Sequence, residues 1–104
     1  MGRKWAIMKL FPGKEEEYKK RHDALWQELI DAIHRDGGKN YTIFHDPETN
    51  LLFEYIEIED EQVWASRGGD EVTQKWWDYM ADIMETNPDN SPVSIPLPEL
   101  FYME

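Results

Sequence analysis

At 104 residues the chain suits one domain, residues 1–104, large enough to bury a real core. Its 22 acidic and 11 basic side chains give a net charge of −11, a field that repels phosphate backbones and anionic lipid. Nucleic acid and membrane are therefore not expected partners, and a neutral or cationic small ligand is; the absence of cysteine excludes disulfides, thiolate nucleophiles and Cys-bound zinc and fits a reducing compartment, the cytoplasm.

The N-terminal run "MGRKWAIMKLF" is too short in apolar residues for a signal peptide or a membrane span. Arg3 to Phe11 carries apolar groups on both faces, Trp5, Ile7 and Phe11 against Ala6, Met8 and Leu10, as an interior strand covered on two sides does. Pro12-Gly13 is a turn signal, and "KEEEYKKRHDALWQELIDAIHRD" then reads as one helix, with Glu15/Lys19, Glu16/Lys20 and Glu17/Arg21 as i,i+4 pairs. Gly37-Gly38 ends it. "NYTIFHD" and "LLFEYIEIE" flank the turn "PETN" and are expected to pair antiparallel. A short helical piece around Val63 to Ser66 leads to Gly68-Gly69, after which Asp70 is a plausible N-cap for a helix through Met84. The proline-rich "ETNPDNSPVSIPLPEL" reads as a loop before a final short strand near Leu100 to Met103.

The order β-α-β-β-α-β matches the ferredoxin-like α+β arrangement, an antiparallel sheet with both helices on one face. Apolar and aromatic residues on both strand faces leave the open face as a large patch, which predicts a homodimer joined sheet to sheet as a dimeric α/β barrel.

At 100° per residue, with Tyr18 at zero, Leu25 lies at about −20°, Leu29 at about 20°, His22 at about 40° and Ile33 at about 60°. His22 thus falls inside the buried stripe, whereas His34, at about 160°, faces solvent. His22 is either a core histidine satisfied by a carbonyl or by Tyr18, or an acid/base group facing a pocket, since an imidazole both gives and takes a proton near neutral pH. On the later helix Val72, Trp76, Tyr79 and Ile83 share one arc, and Trp77 lies about 100° from Trp76. That wide aromatic face serves either packing or stacking on the C–H face of a sugar. His22, His34 and His45 show no metal-binding spacing, the carboxylates of "EYIEIEDEQ" read as a solvated strand edge, and GxSxG, P-loop and GxGxxG motifs are absent.

The segments "EEYKKRHDALWQEL", "NYTIF", "KWWDYMADIM" and "NPDNSPV", in this order and spacing, resemble the L-rhamnose mutarotase family of small bacterial sugar epimerases over nearly the whole chain. The resemblance implies a ferredoxin-like dimer that interconverts the α and β anomers of L-rhamnose without metal or organic cofactor. It puts the family's proton-donor histidine on His22, sugar-contacting tyrosines on Tyr18 and Tyr41, and a tryptophan pair on Trp76 and Trp77. The family's frequent W-P-E-L segment has Gln27 in place of proline here, and nothing carries over to the variable "QVWASRGG" segment. Two other readings remain: a cofactor-independent monooxygenase of the same architecture, and a non-catalytic sugar-binding module.

Overall fold

Residues 2–66 and 70–104 are described in a computed structural model. In chain order the elements are β1 (Gly2–Lys9), α1 (Glu15–Asp23), α2 (Gln27–Arg35), β2 (Gly38–Asp46), β3 (Leu51–Ile58), α3 (Glu61–Ala65), α4 (Glu71–Met80) and β4 (Ile95–Leu97). The strands form one antiparallel sheet in the order β2-β3-β1-β4, the ferredoxin-like topology. As expected, β1 is interior, hydrogen-bonded to β3 on one side and β4 on the other.

Strand alternation sends Ala6 and Met8 of β1 and Leu52, Ile56 and Ile58 of β3 to one face, where they are buried beneath the helices with Leu29 and Ile33. Each such aliphatic side chain, fully withdrawn from water, contributes about 1.5–3 kcal/mol. The opposite row, Trp5, Ile7, Phe44, Phe53 and Tyr55, lies on the other face, where Trp5 and Tyr55 pack ring to ring.

The β2–β3 hairpin turns at Asp46–Asn50, where the Asp46 carboxylate accepts from the Glu48 amide and the Thr49 hydroxyl. Within β2 the register shifts between Lys39 and Thr42: Asn40 and Tyr41 together oppose the single residue Ile56, and Asn40 takes a left-handed φ of 51°. A β-bulge of this kind switches the alternation. Lys39 pairs with Glu57 on the open face, but beyond the bulge Ile43 pairs with Glu54 and His45 with Leu52 on the helix side, and Tyr41 goes with them.

Four expectations are corrected. The first long helix is two helices, because Trp26 is extended (φ −63°, ψ 132°) and acts as the N-cap of α2. Gln27 is then the first residue of α2, the position at which proline is best tolerated. The last helix stops at Met80, since the following residues are drawn onto the end of β1: Met84 bridges Leu10, and the Phe11 amide donates to the Ile83 carbonyl. Its buried stripe is Thr73, Trp76 and Met80, while Tyr79 is 42% exposed. Finally, the terminal strand is Ile95–Leu97 and not Leu100 to Met103. Pro96 is tolerated because β4 is an edge strand, where a missing N–H can face outward.

Asp70 caps α4 as expected, its side chain accepting from the Val72 amide. Gly68-Gly69 lies outside the described residues.

Candidate active site

The acidic first turn and basic last turn of α1 complement its dipole, and its i,i+4 spacing puts Tyr18 and His22 on the same face. Their rings stack, centroids 4.3 Å apart and planes at 28°. The His22 Nδ1 lies 3.0 Å from the Tyr18 carbonyl oxygen. A carbonyl only accepts, so Nδ1 carries the proton and the neutral ring keeps its lone pair on Nε2. Trp76 presents its ring edge-on to His22, centroids 5.3 Å apart at 89°, and Trp26 meets Trp76 at 5.1 Å and 88°. Trp26 also stacks on Tyr79.

Burial among these rings lowers the His22 pKa from its ordinary value, partly offset by the Tyr18 carbonyl and by Asp23. The imidazole is therefore neutral at pH 7. Burial raises the pKa of Tyr18, with the charge of Glu54 adding to it, so this phenol stays protonated and remains a hydrogen-bond donor.

Between α1, α2 and the sheet lies a cavity of about 700 Å³. Its walls include Tyr18, His22, Tyr41, Ile43, Phe44 and Trp76. Apolar and aromatic walls with a few convergent polar groups are the usual make-up of a small-molecule site, and this volume falls within the usual range. Glu15, Glu16 and Asp23 border it, which suits a neutral polyol and repels anions. His34 and His45 border it too, His34 exposed on its helix as expected. Among the described residues no cluster of three or more His, Cys, Asp or Glu side chains is arranged to hold a metal ion.

Four of the five predicted site residues thus meet at one cavity: Tyr18, His22, Tyr41 and Trp76. Trp77 does not line it. One helical step turns it away from Trp76, and it packs half-buried against the core.

Residues 3–103 match the L-rhamnose mutarotase family. The chain belongs to that family. It is 55% identical to the L-rhamnose mutarotase of Lachnoclostridium phytofermentans and 54% identical to that of Bacteroides thetaiotaomicron, in each case over 100% of both chains. The crystal structure of the L-rhamnose mutarotase from Formosa agariphila superposes with a TM-score of 0.91 at 49% identity, covering 100% of both chains. The structure of Rv0793 from Mycobacterium tuberculosis shares the fold, with a TM-score of 0.61 at 13% identity over 98% of this chain and 97% of the other.

With this family's residues in place, two further features emerge that sequence reasoning missed. Glu54 was grouped with a solvated strand edge, yet β3 is central and Glu54 stands in the helix-facing row between Leu52 and Ile56, each 1% exposed. Its carboxylate accepts a hydrogen bond from the Tyr41 hydroxyl. Strict alternation with Leu52 and Ile56 was the available signal. The second is Trp26, which backs Trp76 without reaching the cavity wall. The loop "NPDNSPV" is held to α4: Asn90 donates to Asp78, Gln74 donates to Asp78 and to the Asp89 carbonyl, and Asp89 accepts from Ser91. Asp89 and Asn90 do not line the cavity.

Proposed function

We propose that residues 1–104 act as one mutarotase domain that interconverts the α and β anomers of L-rhamnose, an isomerase reaction on a carbohydrate. The observation that carries this is a neutral His22 whose Nδ1 is occupied by the Tyr18 carbonyl, at the wall of an aromatic cavity, in a chain whose full-length relatives are named L-rhamnose mutarotases.

Mutarotation moves one proton and no electrons. The C1–O5 bond breaks while O1 loses its proton and becomes the aldehyde oxygen, and O5 takes a proton as it leaves. Rotation about C1–C2 followed by the reverse steps gives the other anomer. O1 and O5 are both bonded to C1, so one imidazole suffices. The His22 Nε2 removes the O1 proton and returns it to O5, passing through imidazolium only while the ring opens. Tyr18 and Tyr41 hold sugar hydroxyls, and Trp76 offers an apolar face to the ring and the C6 methyl of this 6-deoxy sugar. A positioned acid/base group of this kind supplies about 10²- to 10⁴-fold. Trp77, assigned to the sugar by resemblance, lies outside the cavity wall and packs half-buried against the core, so its proposed part in the site is to support that wall. No metal or organic cofactor is needed for this proton transfer.

The protein is further proposed to work in the cytoplasm as a homodimer joined through the sheet faces, without nucleic-acid or membrane partners. The acidic balance supports the last point, and no described helix is long and apolar enough to cross a membrane. The comparisons lend no support to the monooxygenase or the non-catalytic binding module. Polarimetry of freshly dissolved α-L-rhamnose separates the mutarotase from both: catalysed approach to the equilibrium rotation, abolished by His22→Ala, is expected. Unchanged rotation kinetics with wild-type protein would sink the reading.

A further inference from the structure

Glu54 is an unusual residue for its place. It sits on a central strand, in the row of β3 that faces the helices, opposite Ala6 on one neighbour and Ile43 on the other. A carboxylate in such a row is costly unless it is hydrogen-bonded. The Tyr41 hydroxyl donates to its Oε2, which supplies that hydrogen bond. The β-bulge at Asn40 is what makes this pair possible, since without it the alternation set by Lys39 would turn Tyr41 to the open face. Asn40 is itself held by a hydrogen bond to Glu57. Tyr41 lines the cavity and Glu54 does not, so Glu54 stands behind the phenol.

We propose that Glu54 is a positioning residue for the sugar site, acting through Tyr41. By accepting the hydrogen bond of the phenol O–H, Glu54 fixes the Tyr41 hydroxyl in one orientation and leaves the oxygen lone pairs directed to the ligand. Tyr41 then accepts a hydrogen bond and selects a sugar hydroxyl that donates one at that position. Tyr18 keeps its phenol proton and so can donate to a second sugar hydroxyl. The sugar thereby meets a fixed acceptor at Tyr41, an arrangement that rejects analogues lacking the donating hydroxyl. This inference rests on the mutarotase reading for its substrate, and on geometry alone for the Glu54–Tyr41 couple.

The test uses Glu54→Gln, Glu54→Ala, Tyr41→Phe and the double variant Tyr41→Phe/Glu54→Ala, each checked for folding by circular dichroism. Anomer-exchange kinetics on L-rhamnose are expected to show KM raised about tenfold in Tyr41→Phe and Glu54→Ala, the loss of one hydrogen bond, and raised less in Glu54→Gln, whose amide oxygen still accepts, with a smaller effect on kcat. The double variant is expected to be no worse than Tyr41→Phe alone, because the two residues act as one unit. The 13Cζ shift of Tyr41, recorded without sugar, is expected to move in both Glu54 variants. An unchanged KM in Glu54→Ala, a double variant about a hundredfold impaired as independent effects require, or an unmoved Tyr41 signal would overturn the proposal. Failure of the mutarotase reading looks different: wild-type protein leaves anomer exchange at the buffer rate. The Tyr41 signal and the Kd for L-rhamnose then decide the Glu54 role in place of KM.

Discussion

The His22 ring lies stacked on the Tyr18 ring and is tied by Nδ1 to the Tyr18 carbonyl, so one residue supplies both the platform and the tautomer of the other. The stack and the carbonyl bond both follow from the i,i+4 spacing on α1, where the carbonyl of residue 18 faces the side chain one turn on. The imidazole is aimed by its own helix.

The rate should follow the neutral form of His22. Burial lowers its pKa below the ordinary 6.5, so imidazole remains the dominant form at neutral and mildly acidic pH. The expected kcat/KM profile is flat above 6.5 and falls about tenfold per pH unit only beyond an inflection below 6.5. Measuring exchange by saturation-transfer NMR from pH 4.5 to 8, with the buffer rate subtracted, checks this. An inflection above 7 would mean that the charged form is favoured.

The same shift has a sign for stability. Well above pH 6.5 His22 is neutral in both folded and unfolded chains and contributes no pH dependence. As the pH falls through 6.5 the unfolded chain takes up the proton first, so the folded state loses stability until the pH passes its own lowered pKa. Urea midpoints for wild type should therefore fall further than those of His22→Phe across this window. Parallel curves for the two proteins would contradict the burial argument.

The order of elements was readable in the sequence because each boundary carries a local signal: Pro12-Gly13, the Asp46–Asn50 turn and the Asp70 cap. The features that shape the site were not. The break at Trp26 interrupts a helical pattern that is continuous in sequence, and it pays off only in tertiary contacts, where Trp26 packs on Trp76 and Tyr79. Likewise the bulge at Asn40 leaves no mark in the hydrophobic pattern, yet it decides which way Tyr41 points. The α4 stripe centres on Thr73, Trp76 and Met80, and Tyr79 lies at its margin, its exposed ring packed on Arg21, Trp26 and Trp76. His22, Tyr18 and Trp76 were legible because helical spacing alone fixes their faces.

The adjacent tryptophans should separate cleanly on substitution. Trp76 forms the cavity wall and touches His22, whereas Trp77 packs half-buried against the core outside the cavity. Trp76→Phe is expected to raise KM severalfold. Trp77→Phe should lower the melting temperature by a few degrees, the effect of about 1 kcal/mol, with KM close to wild type. A Trp77→Phe protein with normal melting and raised KM would return Trp77 to direct sugar contact.

Arg21 couples the helix that carries His22 to the end of α4. Its guanidinium donates to Glu17, to the Asp82 carboxylate and to the Tyr79 carbonyl, and lies 4.3 Å from the centre of the Tyr79 ring. Arg21→Ala is expected to cost about 2 kcal/mol in denaturant unfolding, since hydrogen bonds to charged groups exceed neutral ones. Arg21→Lys keeps the charge and loses the forked geometry, so it should recover only part of that loss. Full recovery by lysine would reduce the clamp to simple charge attraction.

The open face of the sheet asks for a cover. Trp5, Phe44 and Ile95 are 39%, 58% and 45% exposed, and Leu100, Phe101 and Met103 in the C-terminal segment are 94%, 80% and 78% exposed. That segment is anchored at the start of β1: Arg3 pairs with Glu99 and stacks on Tyr102. An apolar sheet beside an apolar tail is poorly suited to water and well suited to a second copy, which would bury about 800 Å² per partner if it is of standard size. Sedimentation at micromolar concentration should give twice the chain mass of 12.4 kDa. Replacing Phe44 by glutamate should yield monomers, because it puts a charge on the apolar face that the contact would bury. Phe44 also borders the sugar cavity, so Ile95→Glu serves as the companion variant, remote from that wall. If Ile95→Glu dissociates the dimer and KM for L-rhamnose is unchanged, each protomer holds a complete site. A wild-type protein that sediments as a monomer removes the sheet-to-sheet dimer altogether.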